Sequence, residues 1–392
     1  MHPSLKKTSV NWIDGMKVNK DHFQQTEDWF IDHLKDIAAL RLTDYKYGLL
    51  PPSDEVSSSA DFQMEVEQTQ FVKVTLLCCR AITRGGIRIE ITPSISKLFS
   101  PEKNQIQVVF DLTSAANEQY DIVVTVDPYH RVPAGDPDPE EHPLRHPSSL
   151  PNYSVDVIPS RQVNSEEFST YHLSLGRFRV VAGEVQTEDY IPPCTSINSH
   201  PTLTQLYREL EKILHDTDRH LTQYVKRNRA LGKQAANQNV LALAERMLMN
   251  TATFYDEFQL ELPYQSPIDL FKYCRRLVRL LSTELQCMPE DDRLVVYNIL
   301  NQGLAAGTLE NTITSVLNAN YSHRDIYLVL NQLLRDMDQL GEIMIRLPLA
   351  SSAAAYDAPR TQSPPSEPSS TEPSEPKKSG PKIFRGGQPI KR

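Results

Sequence analysis

Apolar and polar positions follow three different rhythms along this chain, and each rhythm predicts a different kind of structure. Phe23, Phe30, Leu34, Ile37 and Leu40 recur at helical spacing, with Trp29 and Ile31 beside them. One amphipathic helix satisfies that spacing. Its start is expected near Asn19 or Asp21, because an Asn side chain accepts an orphan backbone N–H and an acid complements the positive helix end. Asp14-Gly15, just upstream, predicts a turn. Taken alone, the periodicity implies a helix whose apolar face packs on the domain behind it.

After Tyr47-Gly48 and a serine-rich loop the period drops to two. Phe62, Met64 and Val66 alternate with polar residues, residues 71–77 form a more continuous apolar run, and Ile87, Ile89 and Ile91 alternate with Arg88 and Glu90. Gly85-Gly86 between apolar stretches predicts a hairpin turn. Further strands are expected at 106–110, 122–126, 153–157, 171–175 and 178–181. Short alternating runs separated by turn signals predict a β-sandwich rather than a parallel sheet. Six prolines lie from Arg131 to Pro151 inclusive, so that segment is expected to be a long loop, not a central strand. Tyr190, Ile191, Pro192 and Pro193 end the strand pattern. Consecutive prolines fix φ and restrict the residue before each, which predicts a stiff, extended neck.

From Ser199-His200-Pro201 the helical period returns, with proline acceptable in the first turn. Leu203, Leu206, Leu210, Ile213, Thr217, His220 and Tyr224 come at alternating intervals of three and four. Two readings share this heptad pattern: a stripe facing a bundle inside one chain, and a seam between copies in which polar Thr217 and His220 set register. A second helix is expected over 237–260. Ser266-Pro267-Ile268-Asp269 is a start signal with serine as N-cap and proline at the first helical position. Helices are also expected from 289 to about 303 and over 308–320. The last helix carries Ile326, Leu330, Leu333, Met337, Leu340 and Met344, behind a capping-box-like Ser322 and Asp325. Helix signals stop at Pro348. Ser, Pro and Glu dominate residues 351–376, a composition unable to bury enough surface to fold. The stretch 377–392 holds Lys377, Lys378, Lys382, Arg385, Lys391 and Arg392, no acid, and the apolar pair Ile383-Phe384. It reads as a solubilising extension or as a docking peptide.

The chain therefore divides into an N-terminal segment and helix (1–46), a β-sandwich domain (47–189), a neck (190–200), a helical bundle (201–347) and a tail (348–392). This is an α+β multidomain architecture.

Composition narrows the function. A net charge of −9 over 392 residues argues against a general nucleic-acid binder. Five cysteines without regular spacing read as reduced thiols, Cys78 and Cys79 pointing to opposite faces of a strand. The first residues lack the apolar core of a signal peptide, and no run approaches the ~20 apolar residues of a membrane span. A soluble, cytoplasmic protein is expected. Fourteen glycines are about half the average usage of ~7%, and no Walker loop, GxSxG or GxGxxG occurs. His142 and His146 have the spacing of a helical metal pair, but Pro143 and Pro147 oppose a helix there, so they read as solvated loop residues. Asp127, Tyr129 and His130 have no partner nucleophile and read as strand-end residues, Tyr171-His172 as packing, and His323 as a structural hydrogen-bonding residue. No catalytic residue, metal, cofactor or small-molecule substrate is assigned.

Four words carry a family resemblance: WIDGMKVNKDHFQQ from Trp12 to Gln25, YIPPC from Tyr190 to Cys194, SPIDLF from Ser266 to Phe271, and YSHRDI from Tyr321 to Ile326. In this order they resemble the TssK family, the baseplate adaptors of bacterial type VI secretion systems. The resemblance implies a non-enzymatic, homotrimeric structural protein whose β domain is similar to the shoulder of phage receptor-binding proteins. It implies that Trp12, Gly15, Met16, His22, Phe23, Gln24 and Gln25 meet baseplate wedge proteins resembling TssF and TssG. The heptad seam would hold the trimer, and the helical half would face membrane-complex proteins at the inner face of the inner membrane. Typical members continue into a folded head that docks on that complex. The head is expected to be missing here, with Lys377, Lys378, Lys382, Ile383, Phe384 and Arg385 as a replacement tether. On residues alone two rivals stay open: a phage-tail-like adaptor, and a cytosolic enzyme with a helical lid.

Overall fold

The computed structural model describes residues 6–67, 71–99, 106–163, 168–231, 237–305 and 307–347. An N-terminal arm leads into α1 (Lys20–Ala39). The β region comes next: β1 (Gly48–Leu49), β2 (Ala60–Glu67), β3 (Phe71–Ile82), β4 (Arg88–Ile91), the short α2 (Pro93–Ser96), β5 (Ile106–Asp111), β6 (Gln119–Ala134), β7 (Ser148–Pro159), the short α3 (Ser160–Val163), β8 (His172–Val181) and β9 (Glu184–Thr187). The bundle comprises α4 (Pro201–Leu231), α5 (Gln238–Thr253), α6 (Pro267–Cys287), α7 (Glu290–Leu300), α8 (Thr308–Asn318) and α9 (Ile326–Ile345).

The strands form two antiparallel sheets. In one, β3 is flanked by β2 and β1 on one edge and by β5 and β4 on the other; the second has the order β7-β6-β8-β9. They pack face to face: Val72 and Val74 of the first sheet meet Ile122, Val155 and Phe178 of the second in one buried cluster. Gly176 allows close packing there, since a Cβ would lie 2.5 Å from the Phe62 ring. The expected sandwich and the Gly85-Gly86 hairpin are both present, Gly86 taking φ +82°.

The proline-rich segment departs from expectation. β6 and β7 pair as far as Ala134↔Ser148, with Pro133 opposite Ser149 and Arg131 opposite Pro151, so the loop shrinks to 135–147. β8 pairs with β6 only as far as Thr125. Beyond that point the hairpin is a two-stranded ribbon in which both strands are edges, and an edge tolerates proline's missing donor.

A second, larger core begins between the sheets at Leu49, Ile89 and Leu173. It continues through Ile191, Cys194 and Ile197 of the neck and runs into the bundle through Leu203, Phe271 and Leu330. The neck is therefore buried core rather than a free connector. The helix expected over 237–260 is α-helical only over α5, and a π-helical turn comes after it at Glu257–Glu261. Ser322 does not cap α9: its hydroxyl donates to the Asp325 carboxylate (2.9 Å) instead of receiving a backbone N–H. No helix among the described residues is long and apolar enough to cross a membrane.

Candidate docking surface

Helix α1 begins where its chemistry dictates. Asn19 Oδ1 accepts the His22 N–H at 3.2 Å, while the Asn19 N–H donates to His22 Nδ1 at the same distance, a reciprocal cap. Past this cap the helix inverts the usual amphipathic arrangement. The apolar stripe points to solvent: Phe23 is 59% exposed, Leu34 63% and Leu40 73%, with Phe30 and Ile37 similar. The buried side is charged, with Asp32 5% and Lys35 8% exposed.

That charged side anchors the helix. Arg131 Nη2 of β6 donates to Asp28 Oδ1 at 2.7 Å, and Lys7 Nζ reaches Asp28 Oδ2 at 3.2 Å. The backbone N–H groups of Lys6 and Lys7 donate to Asp32 Oδ2 at 2.6 and 3.0 Å, and the Tyr129 hydroxyl donates to Oδ1 at 3.4 Å. Lys35 Nζ donates to the Tyr171 hydroxyl at 3.3 Å. Burial works to raise the Asp32 pKa, but the Lys6 and Lys7 donors and the charge of Lys35 outweigh it and hold the carboxyl below its usual range. The arm is pinned along the helix, where Gln25 Nε2 also donates to the Thr8 carbonyl at 3.1 Å.

Among the residues of the first word, Trp12 is half exposed and packs on His22 and Phe23, with ring centroids 6.0 and 6.4 Å apart. Gly15 occupies the expected turn at φ +78°, and the Met16 N–H closes it onto the Ile13 carbonyl at 3.3 Å. Gln24 and Met16 are half-buried. His22 acts as the cap. The expectation that the apolar stripe packs on the domain is corrected: the charges of α1 take that side, and the aromatic arm and stripe form one continuous outward surface.

The other three words meet elsewhere, at the joint between sandwich and bundle. β1 inserts against the neck: the Leu49 N–H donates to the Pro193 carbonyl at 2.7 Å, and the Thr195 N–H returns to the Leu49 carbonyl at 2.9 Å. Gly48 allows this approach, because it sits at φ +113° and a Cβ there would fall 1.9 Å from the Pro193 oxygen. His323 Nε2 lies 3.0 Å from the Tyr47 carbonyl, which fixes it as the donor, and Nδ1 then accepts from the Tyr321 hydroxyl at 2.8 Å. Burial pushes the His323 pKa down to about 4, so the ring is neutral. The Ser266 hydroxyl donates to the Tyr45 carbonyl, and so does not cap α6.

Arg177 completes the joint. Its Nε donates to Asp121 Oδ1 at 2.8 Å and its Nη1 to Asp325 Oδ1, at the start of α9, at 2.7 Å. Asp121 is fully buried and also accepts from Ser160 and Ser174 at 2.6 and 2.9 Å. The guanidinium stacks 4.6 Å from the Tyr190 ring centroid. Tyr190, Ile191, Pro192 and Pro193 are thus structural parts of this joint.

The heptad stripe of α4 has a different place from a seam between copies. Leu203, Leu206, Leu210 and Tyr224 are buried within the chain's own bundle. Ile213 and Thr217 touch α9 at Gly341, where a Cβ would lie 3.2 and 3.0 Å from them, and His220 is half-buried. This is the bundle-facing alternative, and it leaves the stripe little surface to offer another copy. Lys377, Lys378, Lys382, Ile383, Phe384 and Arg385 lie outside the described residues.

No group of three or more His, Cys, Asp or Glu side chains able to hold a metal occurs among the described residues. Cys78, Cys79, Cys194 and Cys274 are free and buried. Sequence reasoning missed the anchors Asp28, Asp32, Lys35 and Arg131. The signal was present: Asp28, Asp32 and Lys35, spaced four and three, form a second, charged stripe on the same helix.

Comparison with known proteins gives a family model and several solved structures. No curated protein matches. "Structure of TssK from T6SS EAEC in complex with nanobody nb18" aligns over 82% of this chain and 100% of that one, at 17% identity and TM-score 0.47. A TssK-TssF-TssG baseplate subcomplex chain aligns over 86% and 100%, at 16% identity and TM-score 0.43. A chain of "The baseplate complex from the type VI secretion system" aligns over 87% and 70%, at 18% identity and TM-score 0.49. The family model T6SS_VasE, described as "Bacterial Type VI secretion, VC_A0110, EvfL, ImpJ, VasE", matches residues 164–337, a span that holds YIPPC, SPIDLF and YSHRDI. Over that span, less than half of its length, the chain is similar to the T6SS_VasE family of bacterial type VI secretion.

Proposed function

We propose that this protein is a structural, non-enzymatic component of a type VI secretion baseplate and that it binds its wedge partners through the arm and the outward face of α1. The observation that carries the reading is the inversion of α1: a helix that buries Asp32 and Lys35 while exposing Phe23, Phe30, Leu34 and Ile37. Exposed apolar surface of this kind marks an interaction site. Large aromatic side chains such as Trp12 and Phe23 are typical interface anchors, each contributing ~2 kcal/mol or more.

The partners assigned are wedge proteins resembling TssF and TssG. Arg131 and Tyr129 anchor α1 on the sandwich, and Arg177 ties the sandwich to the bundle; in this reading the helical half faces the membrane-complex side from the cytoplasm. The chain is assigned as a homotrimer whose contacts lie outside the α4 stripe. Co-purification with the wedge proteins of the same system tests the reading. Trp12→Ala with Phe23→Ala abolishes co-purification, while light scattering of the same preparation still reports a trimer. Undiminished co-purification, or a wild-type chain that scatters as a monomer, contradicts it.

A further inference from the structure

Helices α4 and α9 cross closely at Gly341, and along the outer side of that crossing runs a groove of about 420 Å³. Four carboxylates line it: Glu209 and Asp216 from α4, Asp338 and Glu342 from α9. Only two cations, Lys212 and Arg335, share the lining, so the groove is net negative. Asp216 pairs with Arg219 at 3.0 Å. No cation among the described residues lies within ion-pair distance of Glu209, Asp338 or Glu342. The floor is apolar, formed by Ile213, Leu334 and Ile345.

The chain itself supplies a segment complementary to this groove. Residues 377–392 carry six basic side chains, no acid, and the adjacent apolar pair Ile383-Phe384. They come after α9, the helix that forms one wall of the groove. From Leu334 to Ile345 that wall rises only ~16 Å at 1.5 Å per residue. The intervening residues 348–376 can span up to ~95 Å when extended, so reach does not oppose a return along α9. Tethering also raises the local concentration of the segment into the millimolar range, which lets a few screened ion pairs and one apolar contact suffice.

We propose that residues 377–392 dock back into the α4–α9 groove of their own chain. The Lys and Arg side chains meet Glu209, Asp338 and Glu342, and Ile383-Phe384 covers Ile213, Leu334 and Ile345. The occupant is this chain's own tail, not a second copy and not a membrane surface. Docked in this way, the tail shields a charged face of the bundle and is itself withheld from acidic partners.

A photo-cross-linking experiment on the full-length protein decides it. Phe384 is replaced by p-benzoylphenylalanine, the protein is irradiated as an equal mixture of isotopically light and heavy chains, and adducts are mapped by mass spectrometry. The expected adducts fall on Ile213, Leu334 or Ile345 and join light to light and heavy to heavy. Their yield should drop several-fold between 50 mM and 500 mM NaCl, as exposed charge pairs are screened. Asp338→Lys with Glu342→Lys, at two exposed helical positions, should leave the thermal midpoint unchanged and remove the adducts. Adducts outside the groove, mixed light–heavy adducts, no adducts, or adducts that survive the double substitution overturn the proposal.

Discussion

The joint and the outer face of α1 use the same kinds of side chain in opposite ways. At the joint, charge is buried and fully partnered: Asp121 receives Arg177, Ser160 and Ser174, and apolar neck residues fill the space around it. On α1, charge is again buried and partnered, yet the stripe of Phe23, Phe30, Leu34, Ile37 and Leu40 is left outside. Buried ion networks anchor both regions. Only one of them closes its apolar surface within the chain. The difference also tracks the family match, which includes most of the joint and none of α1. A region complete in itself is framework, and the region that leaves five large apolar side chains in water is where the proposed interface lies.

Substitutions that separate framework from interface should differ sharply in stability. The largest effect is expected at Gly48. Gly48→Ala forces a Cβ into the Pro193 carbonyl at a φ disfavoured for L residues. It should cost more than about 4 kcal/mol, enough to prevent recovery of folded protein. Arg177→Ala leaves Asp121 buried and uncompensated, and should lower unfolding free energy by about 3–5 kcal/mol in chemical denaturation. Retained wild-type stability in either variant would show that the joint is not the framework described here.

A smaller effect is expected from pH. Burial lowers His323 from its ordinary 6.5 to about 4, and His200 shifts the same way for the same reason. Below pH 6.5 the unfolded chain takes up protons that the folded chain refuses, so stability falls as pH drops from 6.5 toward 4. The slope approaches about 1.4 kcal/mol per pH unit for each histidine. The anchor of α1 behaves differently. Asp32 is held below its ordinary 3.8, so its contribution is present above 3.8 and is lost only as pH falls through its lower folded value. Acid should therefore weaken the joint before it releases α1. Hydrogen exchange at pH 5, compared with pH 7, should rise around β1 and residues 321–325 ahead of α1. The reverse order would contradict the pH assignments.

Much of this fold is legible in the sequence because local chemistry decides it. Asn19 caps α1, and Gly85-Gly86 turns the β3–β4 hairpin, with no help from distant residues. The orientation of α1 is not legible in the same way. A 3.6-residue period reveals a stripe but not which side of the helix the stripe takes, and that choice belongs to Arg131 and Tyr129, a hundred residues away. The proline-rich ribbon misleads because proline excludes a central strand, whereas past Thr125 neither strand is central. Ser266 and Ser322 look like caps, but tertiary partners claim their hydroxyls. The heptad of α4 is genuine. Its partner is α9 of the same chain, a distinction that spacing alone does not carry.

The central claim is that the outward face of α1 binds wedge proteins and contributes nothing to folding. Leu34→Glu with Ile37→Glu tests it most directly, with thermal midpoint and wedge binding measured on one preparation. The expected result is a stability change within about 0.5 kcal/mol, as for ordinary surface positions, together with loss of wedge binding. Unchanged binding, or a fall in stability of several kcal/mol, would contradict it.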